Sequence, residues 1–187
     1  MKNFCYIYKY KIKYKKIIDK LVKIFKFKSN MQVPKIIKIV INRGLGKFCL
    51  NNKKYIKIYK KELELITGQK AIICKSKKDI SNFNLRKNVP IGCKVTLRNN
   101  NMYNFIGKLI DIILPRCKNF QGLKNKFDKQ GNYNLGINEQ IIFPEININK
   151  VIKILGFNIS IIIKNNSIIE SKKLLSLLGF PFKKDNI

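Results

Sequence analysis

The side chains of this chain that can do chemistry are cations and one aromatic ring, gathered between Ile66 and Arg98. Lys75, Ser76, Lys77 and Lys78, then Arg86 and Lys87, make a basic loop with Phe83 inside it. Lysine and arginine at this density suit phosphate, and a ring among them suits stacking on a base or packing on a ribose. The same ring serves equally well as an anchor tying the loop to a core. The loop leads into Pro90-Ile91-Gly92-Cys93-Lys94-Val95-Thr96-Leu97-Arg98. There Ile91, Cys93, Val95 and Leu97 alternate with Gly92, Lys94, Thr96 and Arg98, and a period of two puts the sets on opposite faces of a strand. One face packs on a core; the other presents a cation, a hydroxyl and a guanidinium. That is a binding surface rather than a catalytic pocket.

The rest of the composition agrees. The chain has 187 residues, with 40 Lys+Arg against 10 Asp+Glu and a formal net charge of +30. Such a chain repels itself unless it meets a polyanion. Its lysines run from Lys2 to Lys184 instead of crowding one amphipathic helix, which favours nucleic acid over a membrane surface. No stretch is long and apolar enough to span a bilayer.

Histidine is absent and carboxylates are few, which removes the commonest general base and most metal-ligand sets. Asp79, Asp128, Glu139 and Glu145 are too dispersed for a carboxylate pair. No metal, no cofactor and no enzymatic activity are therefore expected. Cys5, Cys49, Cys74, Cys93 and Cys117 contain no CxxC pair and read as reduced thiols, Cys93 in the core, with nothing to activate Cys117. Gly44-Leu45-Gly46-Lys47 invites a phosphate-loop reading. Phe48 fills the place of the required hydroxyl, and Cys49 that of a third glycine, so a tight turn with positive φ is the better account.

The elements that must position these residues follow from periodicity. Ile17, Leu21, Ile24 and Phe25 predict an N-terminal amphipathic helix rather than a transit peptide, since the segment lacks Arg and carries Asp19. A strand is expected over 36–42, with Ile37, Ile39 and Ile41 on one side. A helix over 51–67 buries Ile56, Tyr59, Leu63 and Ile66 and stops at Gly68. A short strand over 71–74 precedes the basic loop. After the strand ending at Arg98, residues 99–101 cap a helix burying Met102, Phe105, Ile106, Leu109, Ile110 and Ile113, ended by Pro115. Strands are expected over 133–135, 140–143 and 157–163. Ser167 and Glu170 form a capping box for a last helix through Leu174, Leu175 and Leu178, closed by Gly179 and Pro181. The returns are too short for βαβ crossovers, so the class is α+β: a mostly antiparallel sheet flanked by helices.

Abundant Lys, Asn and Ile, no Trp, and Ala71 as the only alanine indicate an AT-rich genome. They say nothing about the fold.

The motifs Met31-Gln32-Val33-Pro34-Lys35, Ile39-Val40-Ile41-Asn42-Arg43-Gly44-Leu45-Gly46 and Ile66-Thr67-Gly68-Gln69-Lys70, with the run from Pro90 to Arg98, belong together. So do Leu114-Pro115-Arg116, Gly131-Asn132-Tyr133, Glu139-Gln140-Ile141-Ile142-Phe143-Pro144-Glu145 and Gly179-Phe180-Pro181-Phe182. On these the chain resembles the universal large-subunit ribosomal proteins numbered five, bacterial type, the family that holds 5S rRNA. The resemblance covers nearly the whole chain, leaving 1–10 as a short extension and 11–187 as a single RNA-binding domain.

It implies an RNA-recognition-like sheet and a non-catalytic scaffold in the central protuberance. The open sheet face would dock on 5S rRNA through Asn42, Gln69, Thr96 and Arg98. The extended loop, with Lys75, Lys77, Lys78, Phe83, Arg86 and Lys87, would reach P-site tRNA. Segment 115–122, with Arg116, Lys118 and Phe120, would face a small-subunit head protein and a large-subunit rRNA hairpin. Neighbouring central-protuberance proteins complete the implied partners.

Two departures stand out. The family's usual Arg-Asp-Phe-Arg-Gly is Lys118-Asn119-Phe120-Gln121-Gly122 here, and Arg43 replaces the usual Met after the strand Asn. Family and codon bias together suggest a mitochondrial ribosome, with a plastid or a bacterial cytoplasm as alternatives. The competing class is a general RNA-binding assembly or regulatory factor, which would bind many RNAs with one salt slope.

Overall fold

In the computed structural model the described residues are 2–46, 54–118, 120–165 and 167–183. Five strands, β1 (Lys35–Gly44), β2 (Ile72–Lys75), β3 (Pro90–Leu97), β4 (Tyr133–Ile137) and β5 (Phe157–Lys164), form one sheet in the order β2-β3-β1-β5-β4. Among the described residues the longer α-helices are α1 (Lys2–Phe25), α2 (Lys54–Thr67), α3 (Asn99–Lys108) and α4 (Ile168–Leu178). The expected α+β class, an antiparallel sheet flanked by helices with a helix at the N-terminus, is what forms. The chain packs as two compact units, one of Met1–Ile39, Arg98–Asn134 and Ser160–Ile187, the other of Val40–Leu97 and Leu135–Ile159.

In the first unit α1 lies against α3 and α4. Its buried stripe is Tyr10, Tyr14, Ile17 and Leu21, at the three- and four-residue steps of one helix face. Ile17 and Leu21 are as expected; Ile24 is a correction, being 50% exposed. The stripe runs towards the N-terminus because the anchors are there. Tyr10 Oη donates to Asp111 Oδ1 at 2.7 Å, and Lys13 Nζ donates to the Leu178 carbonyl at 2.7 Å. Tyr14 Oη accepts the Ile36 N–H at 3.2 Å. Burial alone would raise the Asp111 pKa, but hydrogen bonds from Lys9 and Tyr10 and the charges of Lys9 and Lys13 outweigh it and hold the carboxyl below its ordinary value.

The cap expected from 99–101 is different in the structure. Arg98 is the N-cap, with extended backbone and no side-chain cap bond, and Asn99 has φ +48°. Met102 N–H reaches the Arg98 carbonyl instead. Pro115 does not end the helix either. A π-helical segment, Leu109–Ile113, precedes a last turn, Leu114–Arg116, that contains it. Proline brings no N–H and would crowd the carbonyl four residues back, so a wider turn just before it accommodates the ring. Ile110 is only half-buried. The Ser167 half of the expected capping box forms, with Ser167 Oγ accepting the Glu170 N–H at 3.3 Å, and Gly179 closes α4 at φ +105°.

In the second unit Ile56, Tyr59, Leu63 and Ile66 are buried along α2, and Gly68 follows with φ +67°. Asn51, and the Lys47, Phe48 and Cys49 of the rejected phosphate loop, lie outside the described residues. β2 and β3 pair antiparallel, Ile72 opposite Lys94 and Cys93 opposite Ile73. The strand expected over 140–143 is a correction: Gln140–Ile142 is a 3-10 turn. The buried Gln140 side chain replaces a strand partner there. Its Nε2 donates to the Lys153 carbonyl at 2.8 Å, and its Oε1 accepts the Leu155 N–H at 2.6 Å.

β1 also departs from simple alternation. Ile36, Ile39 and Ile41 are buried whereas Ile37 is 47% exposed. The phase shifts near Ile36, whose N–H is held by Tyr14.

Candidate nucleic-acid interface

β3 carries the centre of the candidate surface. Cys93, Val95 and Leu97 are buried, Lys94 and Arg98 are exposed, and Thr96 is half-buried. Gly92, expected on the open side, is buried, because a Cβ there would stand 2.7 Å from the Arg43 carbonyl oxygen. Only glycine fits so close an approach of β1 to β3.

Arg43 decides which side of β1 is open. Its guanidinium reaches Glu62 of α2 at 2.7 Å, and α2 packs on β3. Alternation therefore turns Asn42, Lys94 and Thr96 away from α2, and Asn42 is exposed. Gln69 sits just past α2, and its Nε2 donates to the Thr96 carbonyl at 3.0 Å. The Gln69 N–H is in turn held by Thr67 Oγ1 at 3.4 Å, and that hydroxyl donates to the Leu63 carbonyl at 2.8 Å. The fold thus brings Gln69 and Thr96 together. Arg98, one residue beyond β3, is exposed at the cap of α3.

The basic loop is a built hairpin. The Ser76 N–H donates to the Val89 carbonyl at 2.8 Å and the Asn88 N–H donates back to Ser76 at 3.0 Å. Ile80 and Leu85 pair at 2.8 and 3.1 Å. Ser76 Oγ donates to the Lys78 carbonyl at 2.6 Å, and Asp79 Oδ1 accepts the Lys87 N–H at 2.6 Å. Asn84 and Asn88 take the left-handed turn positions, at φ +50° and +66°. Lys75, Lys77, Lys78, Arg86 and Lys87 are all exposed along this frame. Phe83, in the turn Ser81–Phe83, is 56% exposed, so its ring is no anchor in the core. Asp79, Ile80, Ser81, Asn84, Leu85 and Arg86 line an open concavity beside it.

Arg116, at the end of the last turn of the α3 region, and Lys118 and Phe120 beyond it are exposed, and Asn119 lies outside the described residues. Gly122, at φ +94°, then brings Leu123 into a parallel bridge with Phe182.

Sequence reasoning passed over Arg43 as a building block. It is fully buried, bonded to Glu62 and to the Leu155 carbonyl (3.2 Å), and lies 4.7 Å from the Tyr59 ring centre. A signal was available: only four of the 40 basic residues are arginine, namely Arg43, Arg86, Arg98 and Arg116. A planar five-donor fork is retained in so lysine-rich a chain where lysine cannot replace it. No group of three or more acidic, Cys or His side chains able to hold a metal ion exists among the described residues.

Two family models cover most of the chain: ribosomal protein L5 matches residues 29–86, and the C-terminal model of the same ribosomal family matches 90–182. The chain is 52% identical over 170 residues to large ribosomal subunit protein uL5 of Acholeplasma laidlawii, covering 90% of this chain and 94% of that one. It is 52% identical over 182 residues to uL5 of Karelsulcia muelleri, covering 97% of each chain. With uL5 of Porphyromonas gingivalis it shares 53% over 168 residues, 90% of each. The chain belongs to the uL5 family of ribosomal proteins. It is a structural constituent of the large ribosomal subunit and not an enzyme. As a uL5 family member it is a large-subunit component that binds ribosomal RNA.

Proposed function

We propose that the chain is the 5S rRNA-binding scaffold of the central protuberance. The observation that carries this is the outward polar row of Asn42, Lys94 and Thr96, with Gln69 fixed to the Thr96 backbone. Lysine and arginine neutralise phosphates, while amide and hydroxyl groups set register on a folded RNA read mainly by shape. Arg98 joins these as a charged contact. The hairpin of 75–89, with its five exposed cations and bare Phe83 ring, reaches P-site tRNA. Arg116, Lys118 and Phe120 face the small-subunit head protein and a large-subunit rRNA hairpin. Of the compartments expected from codon bias, mitochondrion, plastid or an AT-rich bacterium, the half-identity to bacterial relatives favours bacterial cytoplasm.

The test is affinity for 5S rRNA at physiological salt. Arg98→Ala is expected to weaken it by roughly 1–3 kcal/mol, as for other specific polar contacts. Unchanged affinity sinks the assignment. Equal binding to unrelated RNAs with one salt slope hands the case to a general RNA-binding factor.

A further inference from the structure

α1 has a second face. Opposite the buried stripe, Tyr8, Ile12, Lys15, Asp19 and Lys23 follow one another at three- and four-residue steps, with Lys11, Lys16 and Lys20 on the shoulders. All eight are exposed, and Tyr8 is 72% exposed. At 1.5 Å rise per residue the ridge from Tyr8 to Lys23 is roughly 22 Å long.

The helix is held rigidly for presenting that ridge. Tyr10 and Lys9 bind Asp111, Tyr14 binds Ile36, and Lys13 binds the end of α4. Those bonds occupy Lys9 and Lys13, leaving Lys11, Lys15, Lys16, Lys20 and Lys23 facing solvent around a single carboxylate. A chain of net charge +30 gains nothing in fold stability from five more unneutralised cations on one ridge. Lysines flanking an exposed aromatic ring suit a nucleic-acid backbone with a base or ribose against the ring. A membrane is the poorer fit, because the apolar content of this face is two side chains interrupted by lysine and Asp19.

We propose that the outward face of α1 is a further RNA-contacting surface, beyond the sheet, loop and 115–122 segment. Lys11, Lys15, Lys16, Lys20 and Lys23 take phosphates of a ribosomal RNA segment, and Tyr8 packs on one of its bases or riboses. Ribosomal RNA as the partner rests on uL5 family membership, not on the 5S assignment of the sheet.

The test uses the full chain with 5S and large-subunit rRNA transcribed from its own genome. The triple variant Lys15→Gln/Lys16→Gln/Lys20→Gln should lower the log–log salt slope by about 2–3 for at least one of these RNAs, since each phosphate contact contributes roughly 0.7–0.9. An equal-charge control, Lys57→Gln/Lys61→Gln/Lys173→Gln, should change it by less than about 1. Both variants should keep the parent melting temperature, and Tyr8→Phe should retain an ultraviolet crosslink that Tyr8→Ala loses. Equal slope changes in the two triples, or none in the first, overturn the proposal. So does loss of binding to anionic phospholipid vesicles with an unchanged RNA slope, which assigns the face to a membrane. Repeating the first triple in the Arg98→Ala background separates the two readings: the α1 effect persists whether or not Arg98 proves to touch 5S rRNA.

Discussion

Arg43 of β1 and Glu62 of α2 meet at 2.7 Å in the interior, with the guanidinium fully enclosed and lying over the Tyr59 ring. A buried pair like this adds little over a well-packed apolar pair, but breaking it strands a charge. Arg43→Ala should therefore cost about 3–5 kcal/mol. Arg43→Met combined with Glu62→Leu should recover most of that loss. A double-mutant cycle in urea checks it, and additive losses would mean that the pair is not coupled.

Gly92→Ala places a methyl group 2.7 Å from the Arg43 carbonyl oxygen, and the nearest atoms it meets belong to the β1 backbone at Arg43 and Gly44. Neither strand can yield without disturbing the ladder. A loss of about 1–3 kcal/mol is expected, the usual cost of overpacking. Lys94→Ala, two residues along on the open side, should be neutral within about 0.5 kcal/mol. Thermal unfolding of the two variants side by side decides this.

Burial pushes the Tyr14 phenol up to about 12, against a lowering by the Ile36 N–H and with a further raise from Tyr103. Burial alone raises Tyr133 to about 12. The folded state keeps these protons after the unfolded chain has lost them. The stabilisation is whole below pH 10 and disappears as pH rises from 10 towards 12. Tyr133→Phe should thus move the alkaline unfolding midpoint to higher pH, followed by circular dichroism together with tyrosinate absorbance. A midpoint that stays in place contradicts the assignment.

Asp79 is the acid inside the basic loop, and its carboxylate is held by the Lys87 N–H. Asp79→Ala should speed amide exchange at Lys87 and through residues 76–89, while global stability changes by less than about 0.5 kcal/mol. It also removes a negative charge, so non-specific RNA affinity should rise at low salt. Faster exchange spread over the whole protein would show that the bond holds more than the loop.

The parts of the fold legible in the sequence were those set by one dominant period. α2, the buried side of β3 and the Ser167–Glu170 cap all follow from spacing alone. β1 was harder because Ile36 and Ile37 are adjacent, and nothing local says which one Tyr14 will cover. Gln140 misled because an amide side chain can serve as a strand partner, which propensity cannot express. The candidate surface was legible where strand alternation exposes Lys94 and turns the half-buried Thr96 to the same side. Arg43 was not, since an arginine beside exposed Asn42 reads as surface until Glu62 is seen across from it.

The tie between Lys13 and Leu178 joins residues 165 positions apart, and that between Tyr10 and Asp111 spans 101. A growing chain therefore exports its first helix long before either partner exists. Until α3 and then α4 have been synthesised, the stripe of Tyr10, Tyr14, Ile17 and Leu21 lacks the helices that cover it, and long-range closure of this kind is slow. By contrast, β1 through β3 with α2 lie within one uninterrupted stretch and can collapse early. The order of synthesis thus leaves a sticky, highly cationic leading segment exposed for most of translation, and a prompt RNA partner or a chaperone would shorten that exposure.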